Sequence, residues 1–290
     1  MTSYLRQGTL KFVPGYKLQT RWGLSEATVF ALECAGAPLI AMAIYSGAGF
    51  FAFSIGLLMV CMAVVLLLLH LGHPRRAWRA ILNVRHSWIS RGTLAIGAVV
   101  VLAGLYLLLA AAAGTSQTGL VDATFAFVLA CLGVFIGAYP GLALSSSPAI
   151  AFWNSGLLPV LSLLQGTSIA VLIVLVFLGS GTHAAGAAGP WVAVGLLSAL
   201  ALTLALYIAS MLRRGAAAAE SARYLLRGHT LQFTLTACVV GIGIPLVLAM
   251  WAASGGPVAV LCAIAAVARL GGDIALRHVF LKVGMYNPVI

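Results

Sequence analysis

Ionisable side chains are rare within the long apolar stretches of this chain, and those few are the first candidates for chemistry. Glu33 lies inside one stretch, and His70 closes the next. The last stretch contains Arg269, Asp273 and Arg277, whose spacing of four residues puts them on one face of a helix. Because a charge in an apolar environment is costly, such residues usually serve either pairing or function.

These side chains are suited to proton transfer. An imidazole titrates near neutral pH, so His70 could donate a hydrogen bond to a carbonyl group or accept a proton. Glu33 has no partner on its own helix, and Arg269 or Arg277 would be suitable partners. Structural roles remain open for all of them: the Arg-Asp-Arg set could be a structural triad, and His70 an ordinary interfacial histidine.

The elements that carry these residues are predicted to be transmembrane helices. With 62% hydrophobic and 7% charged residues, the chain lacks the polar surface of a soluble protein. A helix needs about 20 mostly apolar residues to cross the membrane once. The sequence therefore predicts an all-α polytopic membrane protein of about eight transmembrane helices. The predicted runs are Leu24–Ser46, Phe50–Leu71, Ile89–Ala113, Asp122–Ser145, Ser155–Ser180, Pro190–Leu212, His229–Ala253 and Gly256–Phe280.

The predicted domain organisation has three parts. Residues 1–23 form a polar, basic N-terminal arm, residues 24–280 form the membrane domain, and residues 281–290 form a short tail. Within the membrane domain, residues 72–88 alternate cations with apolar side chains. That pattern predicts a short interfacial helix.

The distribution of positive charge predicts an orientation. The formal net charge is +11, and every Lys and Arg of the loops and termini falls on the N-terminal side of the predicted bundle. The positive-inside rule places both termini in the cytoplasm of a bacterial or archaeal cell, in its cytoplasmic (inner) membrane. This clustering argues against a nucleic-acid partner. It indicates anionic membrane lipids, a docked protein, or both. The predicted docking residues are Arg75, Arg85, Arg91, Arg213 and Arg214.

The cysteines do not form a metal-binding pattern. The five of them stand singly within apolar runs, without C-x-x-C spacing, and are read as buried, inert thiols. The sequence therefore predicts no iron–sulfur cluster and no metal site on this chain. An electron-carrying cluster would have to belong to another subunit.

Two stretches carry a family resemblance. The segment His70–Ala80, HLGHPRRAWRA, is followed by Asn83 and by Ser87–Arg91, SWISR. The second stretch, near the C-terminus, comprises Gly272–Arg277 and Val283–Met285. Both stretches resemble signatures of the dimethyl sulfoxide reductase membrane-anchor family, which is related to the polysulfide reductase anchors. The chain departs from the family pattern at Gly92, where a glutamate is frequent, and at Asp273, where the family also often has glutamate.

The resemblance implies the anchor subunit of an oxidoreductase complex that also has a molybdopterin catalytic subunit and a four-cluster iron–sulfur subunit. Such an anchor binds menaquinone or ubiquinone, carries no haem, and has no catalytic residues of its own. The resemblance associates His70 with the quinone and gives Arg76, Arg79 and Asn83 a supporting role. Glu33 and Asp273, tuned by Arg269 and Arg277, would supply a proton route from the cytoplasmic side.

The predicted orientation adds a further expectation. Catalytic partners on the cytoplasmic side would suit intracellular substrates such as an acyl-coenzyme A, as in the similar phenylacetyl-coenzyme A oxidoreductases. Two other classes of function remain open. A secondary transporter would need charged sites at the membrane midplane and paired interruptions in two repeats, whereas Glu33, His70, Arg269, Asp273 and Arg277 are all predicted to lie in the basic half of the membrane and no convincing repeat is found. A haem-bearing anchor would need two histidines at matching depth, chosen from His70, His229 and His278.

Overall fold

Eight helices long and apolar enough to cross a membrane are found in the part of the chain that the computed structural model describes, residues 17–71, 73–113, 119–180 and 188–286. Residues 1–16 of the predicted arm, Gly72 and residues 287–290 of the tail lie outside this part. The all-α membrane fold predicted from the sequence is confirmed. The α-helices of the described residues, of which all but α7 contribute to the eight crossings, are α1 (Leu24–Ser46), α2 (Gly49–His70), α3 (Trp88–Ala113), α4 (Gly119–Ser145), α5 (Leu157–Ser180), α6 (Ala188–Arg213), α7 (Ala216–Gly228), α8 (Ile244–Ala253) and α9 (Val258–Lys282).

The seventh crossing is built in two parts. A π-helical segment, Gln232–Gly243, continues directly into α8, and the two together span the membrane. Pro245 stands at the start of α8 and has no amide hydrogen to donate to the preceding turn, which favours a change of helical geometry there. The sequence predicted one uninterrupted run beginning at His229. It missed α7, a separate short helix whose alanine-rich face is buried.

The first helix forms the centre of the bundle. It is the most buried of the eight and packs against α2, α4, α5 and α9. Small residues permit this close packing: a Cβ atom at Gly36 would lie 2.7 Å from the Gly56 carbonyl oxygen of α2. A Cβ atom at Gly166 of α5 would lie 2.0 Å from the Cys34 carbonyl oxygen. Van der Waals contact between small residues is the usual basis of helix association in a membrane.

Both ends of the described chain meet at one membrane face. Strand β1 (Lys17–Leu18) pairs antiparallel with strand β2 (Met285–Tyr286), directly after α9. The Gln19 side-chain amide donates hydrogen bonds to the Leu281 and Trp22 carbonyl oxygens, each at 2.7 Å. The described end of the N-terminal arm is therefore attached to the C-terminal end of the same chain.

The segment between α2 and α3 lies at this same face. Pro74–Ile81 forms a 3₁₀ helix, where the sequence predicted a short interfacial helix. Its Trp78 is 59% exposed and the nearby Leu82 is 70% exposed. Apolar side chains exposed next to arginines suit the boundary between lipid and water. We refer to residues 73–88 as the basic segment.

Candidate functional site

A cavity of about 250 Å³ lies between α1, α2, α3 and α4 near the basic membrane face. Glu33 and His70, which the sequence singled out separately, both line it. Most of the remaining wall is apolar or aromatic. The other lining residues are Trp22, Ser25, Glu26, Val29, Phe30, Leu67, Leu71, Ile89, Thr93, Ile96, Tyr139 and Ala143. We refer to this space as the Glu33–His70 cavity.

His70 is the last residue of α2, and its ring orientation is fixed by its own helix. The ring Nδ1 lies 2.8 Å from the Leu66 carbonyl oxygen. Because a carbonyl oxygen can only accept a hydrogen bond, Nδ1 must carry the proton. In the neutral ring, Nε2 then has a lone pair for a proton or a hydrogen bond. The imidazole is thus arranged to exchange one proton through Nε2.

Glu33 lies about 14 Å along α1 from the start of the helix, at a rise of 1.5 Å per residue. Glu33 is 2% exposed, and its Oε1 atom is buried with no hydrogen-bond partner in the described structure. The predicted pairing with Arg269 or Arg277 is absent from the ion pairs of the described residues, although Arg277 is close enough to act on Glu33 electrostatically. A buried carboxylate with an unsatisfied oxygen is costly unless a ligand, water or proton satisfies it.

The three charged residues of α9 form a connected cluster. Asp273 accepts from Arg277 Nε at 2.8 Å and from Arg269 Nη2 at 3.4 Å. Ser168 of α5 accepts from Arg269 Nε at 3.1 Å. Ser162 of α5 accepts from Arg277 Nη1 at 3.2 Å. The triad predicted from the four-residue spacing therefore exists, and hydrogen bonds attach it to α5.

The depth of Arg269 corrects one expectation. The sequence placed all these ionisable groups in the basic half of the membrane. Arg269 instead lies near the middle of α9, between the ends Val258 and Lys282, and it is fully buried. The predicted run Gly256–Phe280 already had its midpoint next to Arg269, since Gly256 lies 13 residues before it and Phe280 11 residues after it. An argument against a transporter, the absence of midplane charge, is thereby lost.

The α9 cluster lies next to the Glu33–His70 cavity without lining it. Arg277 instead lines a smaller cavity of about 30 Å³, together with Ser162 and Gln165. Phe30 lines both cavities. The smaller cavity has room for a water molecule and the polar groups to hold one.

The supporting residues proposed from the resemblance lie outside the cavity wall. Arg76, Arg79 and Asn83 are exposed on the basic segment and are not among the residues that line the Glu33–His70 cavity. The Arg79 guanidinium lies 5.7 Å from the centre of the Trp78 ring. The Asn83 carbonyl oxygen accepts from the amides of His86 and Ser87 and so closes the turn before α3.

Two of the five predicted docking residues are used within the chain itself. Arg91 donates to the Val84 carbonyl oxygen at 2.9 Å and to that of Arg85 at 2.8 Å, and its guanidinium stacks on Trp88. Arg214 donates to the carbonyl oxygen and to the side chain of Asn154. These arginines hold loops in place. The exposed side chains of Arg75, Arg85 and Arg213 remain candidates for contact with a partner.

Sequence reasoning missed the three aromatic residues of the cavity, Trp22, Phe30 and Tyr139. Trp22 belongs to the arm that the sequence described only as polar, and it stacks on Trp153 with ring centres 5.8 Å apart. Tyr139 of α4 lies against Gly92 of α3: a Cβ atom at Gly92 would be 2.2 Å from the tyrosine ring. The departure from the family pattern at Gly92 thus leaves the space that the Tyr139 ring fills. The only sign of this contact in the sequence was the departure at Gly92, where the family pattern often has glutamate.

The fold and site define a multi-pass membrane protein with a mostly apolar cavity that contains a histidine and two carboxylates, Glu26 and Glu33, at one membrane face. Residues 49–288 match the family described as Polysulphide reductase, NrfD, and the chain belongs to that family. Helix α1 with Glu33 precedes the matched range. No curated protein matches the sequence. The chain is accordingly a membrane-anchor subunit of a redox complex, in a family whose anchors interact with quinones and are associated with iron–sulfur and molybdoenzyme subunits.

Proposed function

We propose that this chain exchanges electrons and protons between the membrane quinone pool and a partner iron–sulfur subunit, with the quinone headgroup in the Glu33–His70 cavity. The observation that carries the proposal is the convergence of Glu33 and His70 on one cavity. The two residues come from different helices and are far apart in sequence. Nothing in their own helices requires them to meet.

The shape of the cavity supports a headgroup rather than a whole lipid. Its volume of about 250 Å³ is just below the usual range for ligand sites, roughly 300–1,000 Å³. Its lining residues Leu67 and Ile89 are 41% and 54% exposed on the outer surface of the bundle. A headgroup can therefore enter from the bilayer between α2 and α3, while its isoprenoid tail stays among the lipids.

The proposed chemistry is a balanced transfer of two electrons and two protons. When a quinol is oxidised, Nε2 of His70 accepts the proton of one hydroxyl group and the Glu33 carboxylate accepts the other. The two electrons pass one at a time to the terminal cluster of the iron–sulfur partner and on to its further clusters. In the opposite direction the same two groups return protons to the carbonyl oxygens. Asp273, tuned by Arg269 and Arg277, would exchange protons with Glu33 through a water molecule in the smaller cavity.

The proposed partners are a four-cluster iron–sulfur subunit and a molybdopterin catalytic subunit, as the family association suggests. They would dock on the basic face, where Arg75, Arg85 and Arg213 are exposed.

With both termini in the cytoplasm, protons and electrons would be exchanged on one side, and turnover would not be electrogenic. The catalytic substrate would then be intracellular. An acyl-coenzyme A, as in phenylacetyl-coenzyme A oxidoreductases, fits that location, and the complex would serve anaerobic respiration.

The test is turnover of the purified complex with a soluble quinol analogue, in parallel with a dye that reports the catalytic partner alone. His70→Ala should reduce quinone-linked turnover by about 100-fold or more, the usual effect of losing a proton-transfer group. Dye-linked turnover should stay unchanged. The matched control is His86→Ala, because His86 is an exposed histidine on the same face that does not line the cavity.

Glu33→Gln tests the second group with nearly the same side-chain volume. The same pattern is expected: quinone-linked turnover falls, and dye-linked turnover persists. Glu220→Gln, at an exposed carboxylate of α7, is its control. Quinone turnover that survives in both cavity variants would place the quinone site elsewhere and remove the proposal.

A further inference from the structure

The second carboxylate of the Glu33–His70 cavity, Glu26, was not among the site residues predicted from the sequence. The face of α1 that lines the cavity is one continuous row of side chains, spaced as on one side of a helix: Ser25, Glu26, Val29, Phe30 and Glu33. Within this row Glu26 and Glu33 are seven residues apart, which is about 10 Å along the helix. A single cavity therefore contacts both carboxylates.

The two carboxylates differ in their access to water. Glu33 is 2% exposed, whereas Glu26 is half-buried in the first turn of α1, at the basic face. Asp273, which we propose to exchange protons with Glu33, is fully buried as well. His70 is exposed at the end of α2 and can exchange its proton there. Glu33 and Asp273 still need a connection to the aqueous phase.

Glu26 also has a structural role at the start of α1. Its Oε2 atom accepts a hydrogen bond from the Gly23 amide at 2.7 Å. Glutamine serves in this capping position as glutamate does, because the amide needs only an acceptor. The cap therefore explains a polar side chain at residue 26, but it does not require a side chain that can carry a proton. The cap and a proton-carrying role can be separated by substitution.

The space between the two carboxylates suits water. The side chains between them on α1, Val29 and Phe30, are apolar and cannot carry a proton, so direct transfer over about 10 Å is excluded. A water molecule takes about 30 Å³ in the liquid, and the cavity of about 250 Å³ holds several of them. Thr93 of α3 also lines the cavity. Its hydroxyl donates to the Ile89 carbonyl oxygen at 2.9 Å, which leaves its oxygen able to accept from water.

We propose that Glu26 is the proton-exit residue of this cavity, an inference that rests on the proposed function. During quinol oxidation, Glu33 accepts one proton of the quinol. After the quinone leaves, water enters the cavity, and the proton passes through it from Glu33 to the Glu26 carboxylate. Glu26 releases the proton to water at the basic face, and both carboxylates are again ionised. The step moves one proton and no electrons.

The test is a rapid-mixing experiment on the purified complex in the direction of quinol oxidation. Cluster absorbance reports the first electron transfer, and a pH-indicator dye reports proton release. In Glu26→Gln the first cluster reduction should stay within about twofold of wild type, because Glu33 and His70 are still free to accept protons. Release of one of the two protons should become about tenfold slower or more. Steady-state kcat should fall with it, while KM is unchanged.

Two comparisons separate this role from a change in the shape of the site. Glu33→Gln removes the first acceptor and should slow the first cluster reduction itself. Glu220→Gln removes an exposed carboxylate that does not line the cavity and should behave as wild type in every measurement. If Glu26 were only a cap, Glu26→Gln would behave like this control.

A second matched pair keeps the test decisive if Glu26→Gln fails to assemble. Glu26→Asp and Glu26→Asn have side chains of the same length, and only the aspartate can carry the proton. Proton release should be slow in Glu26→Asn and largely restored in Glu26→Asp. Equal release in the two variants, or unchanged release in Glu26→Gln, would overturn the proposal. If His70→Ala still abolished quinone-linked turnover, only the exit residue would be lost and the proposed function would stand.

Discussion

Two arginines and one aspartate are buried together on α9, where each charge depends on its neighbours. The three side chains carry a net charge of +1, and every one of them is at most 7% exposed. The buried carboxylate of Glu33 acts electrostatically on Arg277 without contacting it. A charged Glu33 therefore makes the four-residue group neutral, which lowers the cost of holding it within the membrane.

The aspartate is the residue on which this cluster depends most. Asp273→Asn keeps the side-chain shape but leaves Arg269 and Arg277 without their shared counter-charge. Breaking a buried ion pair in this way typically costs about 3–5 kcal/mol. We expect a loss of that size in the free energy of unfolding, measured by denaturant titration in detergent. Glu220→Gln, at an exposed pair worth about 0–1 kcal/mol, is the control. Equal stability of Asp273→Asn and wild type would refute the role given to the cluster.

At the scale of the elements, glycines decide how closely the helices approach. The π-helical segment and α9 cross with Gly241 against Gly272, immediately before Asp273. A Cβ atom at Gly272 would lie 2.0 Å from the Gly241 Cα atom. Main-chain atoms cannot move aside as a flexible side chain can. The crossing therefore holds only while both residues lack a side chain.

Neighbouring glycines of α9 allow a matched comparison. Gly272→Ala should lower the free energy of unfolding by about 1–3 kcal/mol, because the crossing has to open. Gly271→Ala should have little effect or a small stabilising one, since nothing lies within 4 Å of its Cβ position. Denaturant titrations of the two variants in the same detergent compare them directly. Equal effects of the two substitutions would contradict the close crossing.

A second pair of glycines, on α3, tests the wall of the Glu33–His70 cavity. In Gly92→Ala the new methyl group would overlap the Tyr139 ring, so the ring has to move within the cavity. We expect quinone-linked turnover to fall by about tenfold or more while dye-linked turnover is kept, because misplaced site residues slow a reaction strongly. Gly97→Ala, with nothing within 4 Å of its Cβ position, is the control. A Gly92→Ala complex with unchanged quinone turnover would show that Tyr139 does not shape the site.

At the scale of the whole molecule, one membrane face gathers several features. The paired strands β1 and β2, the basic segment and the Glu33–His70 cavity all lie there. A partner that docks on this face would lie directly above the cavity. The distance for electron transfer would then be short, which is what the proposed function requires.

The orientation of that face in the cell is a prediction of the positive-inside rule. A green fluorescent protein fused after Ile290 should fluoresce, because it folds in the cytoplasm, and an alkaline phosphatase fused there should be inactive. The control fusion, placed after Ser254 in the loop before α9, should show the reverse. Active phosphatase at Ile290 would put both termini outside. It would also move the proposed partners and their substrate out of the cytoplasm.

Much of the fold followed from local composition. Each apolar run is long enough to cross the membrane, and a segment without water has to satisfy its own main-chain hydrogen bonds as a helix. Some helix boundaries differ from the predicted ones: α9 extends past the predicted end at Phe280 to Lys282. The short helix α7 was missed because its buried face is mostly alanine, which gives little hydrophobic contrast along the sequence. The candidate residues Glu33, His70 and Asp273 were visible as isolated polar groups in apolar runs.

The sequence by itself determined the class of the protein, the number of its crossings and the residues whose burial needs an explanation, because these depend on length and composition along one helix at a time. Only the tertiary structure decided which residues meet. It brought Glu33 and His70 to one cavity with Trp22 and Tyr139, and it left Arg76 and Arg79 outside the cavity wall. Which side chains come together depends on how the helices pack. That packing is set by close contacts between residues far apart in the chain, such as the contact of Gly92 with Tyr139.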